Sequence, residues 1–222
     1  MFRYVLMEII ECDEYAEIVK SNKFRILTGE LNELPNILHI ENKDRLSFDQ
    51  LKDFIKDNRR CQYLDLRNSD FTGMDMAKTD LQYSDFRGSS LNEVNFSNSS
   101  LEGCVFANCN MALSNLSGAK LSETNFQNAD LRKANLSGTL SVEGIFKDEG
   151  WDAFCRIPLN LYKTDLREAI IENSTLYKAD FSCANVEGAI FTGTDLSGCK
   201  FKKEQLLHIA LSDGQKAQII VI

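Results

Sequence analysis

Residues 84–106 read SDFRGSSLNEVNFSNSSLEGCVF, and in that stretch Phe86, Leu91, Phe96, Leu101 and Phe106 return at every fifth position. The register extends back through Leu81, Met76 and Phe71 to Leu66, and forward through Met111, Leu116, Leu121, Phe126 and Leu131 to Leu136. It resumes at Leu161 and runs through Leu166, Ile171, Leu176, Phe181, Val186, Phe191, Leu196 and Phe201 to Leu206, giving twenty-five units in all. Two residues before each apolar position stands a mostly small one, such as Ser84, Ser89, Cys104, Cys109, Ala119 or Cys199. Directly before it Asp or Asn recurs, as at Asp65, Asp70, Asp85, Asn95, Asn110 and Asp130. Self-similarity at a fixed period marks a stacked repeat architecture.

The spacing suits neither regular element alone. In an α-helix each five-residue step turns about 140°, which scatters the apolar residues around the whole circumference. In a strand an odd step sends successive apolar residues to opposite sides. A sharp bend every five residues resolves both problems. The apolar residue and the small one two before it then point inward, and three residues face out. The second inward site must be small, because two large side chains per unit would overfill a narrow interior. Backbone groups of stacked turns would pair at the ~4.8 Å spacing of neighbouring strands.

This pattern resembles the pentapeptide-repeat family over residues 64 to 206, apart from one interruption. The resemblance implies a mainly β fold, a right-handed quadrilateral parallel β-helix in which four units close one coil, here about six coils. Steps of 20 residues then place Phe86, Phe106 and Phe126 on one side as an aromatic ladder inside the helix, within the ~4.5–7 Å centroid range of offset aromatic pairs.

Residues 1–60 lack the repeat and are expected to form a small α/β or mostly helical module, ending in a helix over Phe48 to Arg59 with Ser47 as N-cap and Leu51, Phe54 and Ile55 on one face. Its expected role is to cover the first coil, since terminal coils expose edges that invite aggregation. Residues 61–206 form the repeat rod. Residues 207–222 close it: Lys202 to Leu211 reads as helical with Gly214 as a stop. The apolar end Ile219, Ile220, Val221 and Ile222 is expected either to pack on the last coil or to meet a second copy of the chain.

Between about 139 and 160 the pattern lapses. In-phase positions there would bury Glu149 and Arg156 unpaired, at several kcal/mol each, so an external loop from about Thr139 to Leu159 is expected. It holds Leu140, Val142, Ile145, Phe146, Phe154 and Ile157 and the chain's only tryptophan, Trp151. It reads either as a flap on the outer wall or as a partner-binding element anchored by Phe146, Trp151 and Phe154.

Chemistry-bearing motifs are scarce. The chain has 2 histidines, His39 and His208, and no nucleophile motif, phosphate loop or metal-ligand cluster. No enzyme activity, cofactor or metal is expected. Cys104, Cys109 and Cys199 fall on small inward sites, where free thiols suit a reducing cytoplasm. No run of about 18 apolar residues predicts a membrane-spanning helix, and Met1 to Ile10 makes a poor signal peptide. A net charge of −8 opposes nucleic-acid binding. A non-catalytic protein-interaction rod is the leading expectation, as a bacterial regulator, an immunity-type protein or a secreted effector acting in a host cytoplasm. The resemblance implies one alternative, a DNA-mimicking protein that binds a type II topoisomerase such as gyrase, of the quinolone-resistance type. Duplex DNA carries one charge per ~1.7 Å, or about three per ~4.8 Å coil. Residues 61–140 hold 9 acids against 6 bases and residues 161–206 hold 7 against 6, far below that density.

Overall fold

The computed structural model describes Asp53, Ile55 and residues 60–62, 64–142 and 159–222. Asp53 and Ile55 are helical, and Ile55 is fully buried against the hydrophobic core. Apart from Arg60, which pairs with Asp80, the rest of the expected N-terminal module lies outside the described residues, as do Phe146, Trp151 and Phe154.

The repeating element is a turn. Phe71 O accepts from Met74 N at 2.9 Å, and Gly73 between them has φ +70°. The same turn recurs along the chain, with Asn68, Lys78, Glu93, Asn128 and Lys133 among fourteen non-glycine residues at positive φ in the described part. Asp and Asn precede the apolar site because their side chains pin the turn. Asp70 Oδ1 accepts from Thr72 N at 3.0 Å, Asn95 Oδ1 from Ser97 N at 3.1 Å, and Asp130 Oδ1 from Arg132 N at 3.1 Å. Each is an Asx turn, in which a short polar side chain takes over a backbone hydrogen bond.

Between turns the chain pairs in parallel with the chain one coil away. Phe71 N donates to Ser90 O, and Ser90 N donates to Ser69 O. Bridges join residues 20 apart along four ladders that begin at Asp65, Asp70, Asp75 and Arg60, the last carrying Asp80 as its second rung. Few runs are long enough to count as strands: β1 (Leu140–Ser141) pairs with β2 (Thr175–Leu176), and β3 (Lys200–Phe201) with β4 (Ile220–Val221).

The interior follows the two inward sites. The apolar positions from Leu66 to Leu136 and from Leu161 to Phe201 are buried. Phe86 and Phe106 stack at 4.8 Å, and Phe106 and Phe126 at 5.2 Å. Beyond the interruption Phe181 and Phe201 stack at 4.7 Å, while Phe96 meets Phe106 edge-on at 5.7 Å.

Four local expectations need correction. Leu206, expected as the last repeat unit, lies in a 3₁₀ turn over Lys203–Leu207 and is only partly buried, because the chain leaves the coil path after Phe201. Gly214 does not stop a helix. It lies inside α1 (Asp213–Gln218), which starts on Ser212, whose Oγ accepts from Gln215 N at 3.2 Å. The expected loop edges are too wide: Leu140 pairs with both Lys120 and Thr175, Ser141 fills an inward site, and Leu159 and Asn160 are already back in the coil. Cys61, one period ahead of the first counted apolar position, also fills an inward site.

Candidate interaction surface

Three residues of every five face outward, so the outer wall is the only large functional surface that the repeat creates. Four ladders of side chains run along it.

The ladder from Asp65 carries acids that are already partnered. Arg67 grips the Asp65 carboxylate through Nε and Nη2, both at 2.7 Å, and Arg87 holds Asp85 with Nη2 at 2.5 Å. Arg67 also approaches Asp85 at 3.8 Å, which joins the two pairs across the rungs. The next rungs, Val105 and Asn125, carry no charge.

The ladder from Asp70 repeats this device farther on. Arg132 binds Asp130 through Nε at 2.8 Å and Nη2 at 2.6 Å, and Arg167 binds Asp165 with Nη2 at 2.6 Å. The Arg132 hydrogen bonds hold the Asp130 carboxyl below its ordinary range. Burial alone would raise Asp165, but the Arg167 side-chain and backbone hydrogen bonds outweigh it and lower the carboxyl. Exposed ion pairs contribute about 0–1 kcal/mol each, yet they also cancel the outward field of each acid. A shallow groove of about 300 Å³ on this wall is lined by Ala112, Leu113, Arg132, Lys133, Arg167 and Glu168.

The ladder from Asp75 changes character along its length. Asn95 Nδ2 donates to Asp75 at 2.9 Å and Asn115 Nδ2 to Asn95 at 3.2 Å, an amide ladder that continues in pairing to Asn135. Then Ile170 and Ile190 occupy consecutive rungs, 36% and 43% exposed. Around the corner, on the ladder through Asp80, Leu140 and Val142 are 40% and 44% exposed. The sequence carried a signal for Ile170 and Ile190: both stand where Asp or Asn is the rule.

Three inward thiols donate to backbone carbonyls one coil away. Cys104 Sγ donates to Leu81 O, Cys109 Sγ to Phe86 O and Cys199 Sγ to Leu176 O. Burial pushes the Cys109 and Cys199 thiols up to about 12, and raises Cys104 as well. Such thiols are poor nucleophiles. Among the described residues no three of His, Cys, Asp and Glu are grouped to hold a metal, and no helix is long and apolar enough to cross a membrane. A cleft of about 370 Å³ beside Cys183, Glu187 and His208 lies near the 3₁₀ turn.

The family model for pentapeptide repeats matches residues 60–98, 89–126, 99–138 and 160–201 in 8 copies, more than half of the chain. No curated protein sequence matches the chain significantly. Similar solved structures include QnrB1, a plasmid-mediated fluoroquinolone resistance protein, at 18% identity over 73% of this chain and 84% of that one, with a TM-score of 0.35. Rfr23 from the cyanobacterium Cyanothece 51142 is 15% identical over 64% of this chain and 87% of its own, with a TM-score of 0.33. HetL from Nostoc sp. strain PCC 7120, involved in heterocyst differentiation regulation, is 23% identical over 75% and 77%, with a TM-score of 0.24.

Proposed function

The chain belongs to the pentapeptide-repeat family, and from that membership we propose that it is a non-catalytic protein-interaction rod. In this reading the rod is a right-handed quadrilateral β-helix of about six coils, with residues 1–60 and 207–222 as its end modules. The wall around Ile170 and Ile190, together with the 143–158 segment carrying Phe146, Trp151 and Phe154, meets a protein partner. A cytoplasmic setting belongs to the same proposal, as does a homodimer through Ile219, Ile220, Val221 and Ile222, of which the last three stay about half-exposed although Ile220 and Val221 pair with β3.

The observation that carries the reading is the pair Ile170 and Ile190, two exposed β-branched residues on consecutive rungs of a ladder whose earlier rungs, Asp75, Asn95, Asn115 and Asn135, are all Asp or Asn. An exposed apolar step there forfeits the Asx hydrogen bond and leaves apolar surface in water, which suits a surface that is covered in a complex. The topoisomerase-mimic alternative is weaker, because Asp65, Asp85, Asp130 and Asp165 are each neutralised by an arginine two residues on.

The test combines Ile170→Asp with Ile190→Asp. Both positions face out, so the far-UV spectrum and melting temperature should hold while affinity capture of the partner is lost. Capture that survives the double substitution would refute this surface. Inhibition of purified gyrase supercoiling at near-stoichiometric protein would instead establish the mimic.

A further inference from the structure

Between residues 161 and 206 the acids and bases nearly cancel in number, but the fold sorts them by wall. Asp165, Glu168, Glu172, Glu187 and Asp195 stand on or beside the ladders from Asp70, Asp75 and Arg60, with Arg167 as the one base among them. Lys163, Lys178, Lys200, Lys202 and Lys203 instead surround the positions that follow Asn160 at the 20-residue step, Asp180 and its partner rung Lys200, at the far end of the ladder from Asp65. All five of these lysines are exposed. Set against Asp180 and Glu204, they leave the wall three positive charges in excess, in a chain whose net charge is −8.

Three successive coils bring the lysines together. Asn185 N donates to Thr164 O at 2.9 Å, which sets the corner at Cys183 against the one at Lys163. Lys178 N donates to Ser197 O at 2.9 Å and Lys200 N to Ala179 O at 3.0 Å, so the Lys178 corner lies one coil from Lys200. Gln205 Nε2 donates to Phe181 O and Ala184 O, which folds the turn carrying Lys202 and Lys203 beneath the Cys183 corner. The backbone positions thus span two coil steps, about 10 Å along the rod. Two of the side chains are held in place. Lys163 Nζ lies 4.9 Å from the centre of the Tyr162 ring and Lys178 Nζ 4.8 Å from that of Tyr177. Lys200 stands where Asp or Asn recurs and so lacks the acceptor that pins the turn, and its Nζ comes within 3.7 Å of Asp180. Near the start of the ladder each acid is followed two residues on by an arginine that neutralises it, as in Asp65–Arg67 and Asp85–Arg87. At this end cations outnumber acids.

We propose that the wall bearing Lys163, Lys178, Lys200, Lys202 and Lys203 is a docking surface for a carboxylate-rich segment of a protein partner. Charge complementarity is the first reason, since the excess is local and the rest of the rod repels the same segment. The second is the residue type. Lysine offers compact ammonium charges without the planar fork with which arginine grips phosphate, and the cluster contains no arginine. The third is extent. The cationic area is about two coil steps long, and Glu187 and Asp195 stand on the walls to either side. A short acidic strand fits between them, whereas a nucleic-acid duplex, with a charge every ~1.7 Å, would run out over those acids. Holding Lys163 and Lys178 on tyrosine rings lowers the ordering cost of binding. The proposal rests on the interaction reading for the partner being a protein, and it adds a face separate from Ile170 and Ile190.

The probe is a fluorescein-labelled oligoglutamate peptide, read by fluorescence anisotropy on the full-length protein. It should bind the wild type, with an affinity that falls steeply as salt is added. Lys200→Gln combined with Lys202→Gln and Lys203→Gln should weaken binding by about tenfold or more, with circular dichroism unchanged because the three side chains are exposed. Lys163→Gln with Lys178→Gln changes the neighbouring coils and should weaken binding in the same direction, which keeps the test open if the triple variant fails to fold. Lys133→Gln with Lys216→Gln removes equal charge from other parts of the surface and should leave binding unchanged. An oligoglutamate that does not bind, or one that is lost equally in this last variant, would overturn the proposal. So would tighter binding, at the same salt, of an oligonucleotide or of phosphatidylserine vesicles that the triple variant abolishes. Ile170→Asp with Ile190→Asp should leave oligoglutamate binding intact, so the fate of that surface is read separately from this one.

Discussion

Ser99 shows what one side chain does in the repeat. Its Oγ donates to Met76 O at 2.8 Å and accepts from Thr79 N at 3.2 Å, so a residue that reads in sequence merely as small also bridges two coils. Ser89, Thr124, Thr164 and Ser174 donate in the same way. Size is legible from periodicity, but the hydroxyl's partner is not, because it lies 23 residues away, or 38 across the interruption, and Ala119 or Ala129 fill equivalent sites without it. Charge at the residue scale gives a prediction with a sign. Burial raises the Glu123 carboxyl, so the folded state holds its proton more tightly than the unfolded chain does. Below the unfolded value, about 4.3, both states are protonated and the residue costs nothing; as pH rises past it, ionisation favours unfolding. Glu123→Gln should therefore raise the melting temperature at neutral pH, and the gain should vanish near pH 3. Asp130 has the opposite sign. Its lowered carboxyl stabilises the fold above the unfolded value of about 3.9, and that contribution is lost as pH falls through the still lower folded value. Thermal melts across this range check both slopes.

At the scale of the element, the turn decides what each corner tolerates. Leu113 and Glu123 sit at φ 62°, and the left-handed region costs an L-residue roughly 1–2 kcal/mol. Pairing on both sides of each turn over-determines the conformation, which is how the fold holds so many such residues. Gly103, at φ +68°, meets a second constraint because a Cβ built there would lie 2.3 Å from Tyr83 Cδ1, whose ring covers the glycine from one coil below. Gly103→Ala should destabilise the protein by about 1–3 kcal/mol, the sum of backbone strain and a displaced ring. In a Tyr83→Ala background only the backbone part should remain. Urea denaturation of the four proteins measures that coupling, and equal costs in both backgrounds would show that the ring yields freely. The end elements were less legible for a related reason. Gln215 Nε2 donates to Phe191 O at 2.6 Å and Thr194 O at 3.0 Å, and Gln205 Nε2 donates to Phe181 O and Ala184 O. Two side-chain amides thus take the place of backbone donors that another coil would supply. Nothing in a five-residue period announces them, and for the same reason extending the local pattern misplaces Leu206 and Gly214, which lie in stretches between pairing rungs.

For the whole molecule, the interruption tests whether stability resides in coil-to-coil pairing. The four ladders cross it intact: Asn125 pairs with Asn160, Asp130 with Asp165, Asn135 with Ile170 and Leu140 with Thr175, each at an offset of 35 instead of 20. The excess is a whole number of repeat units, so removing fifteen residues restores the ordinary offset without moving any inward side chain to the other face. Residues 143–157 are the ones to remove, because Ser141 fills an inward site before them and Leu159 fills one after. Pro158 would then fall on the corner that needs positive φ, which its ring forbids, so the deletion is paired with Pro158→Gly. A nearest-neighbour stack loses little when an excursion outside the pairing is excised. The shortened chain should keep its far-UV spectrum and a cooperative thermal transition. Removing fourteen residues instead shifts every later side chain by one position, so Leu161 and Phe181 would turn out to solvent, and that protein should not fold. If the fifteen-residue deletion failed as completely as the fourteen-residue one, the segment would be an integral part of the core, and coil pairing alone would not account for the stability of the rod.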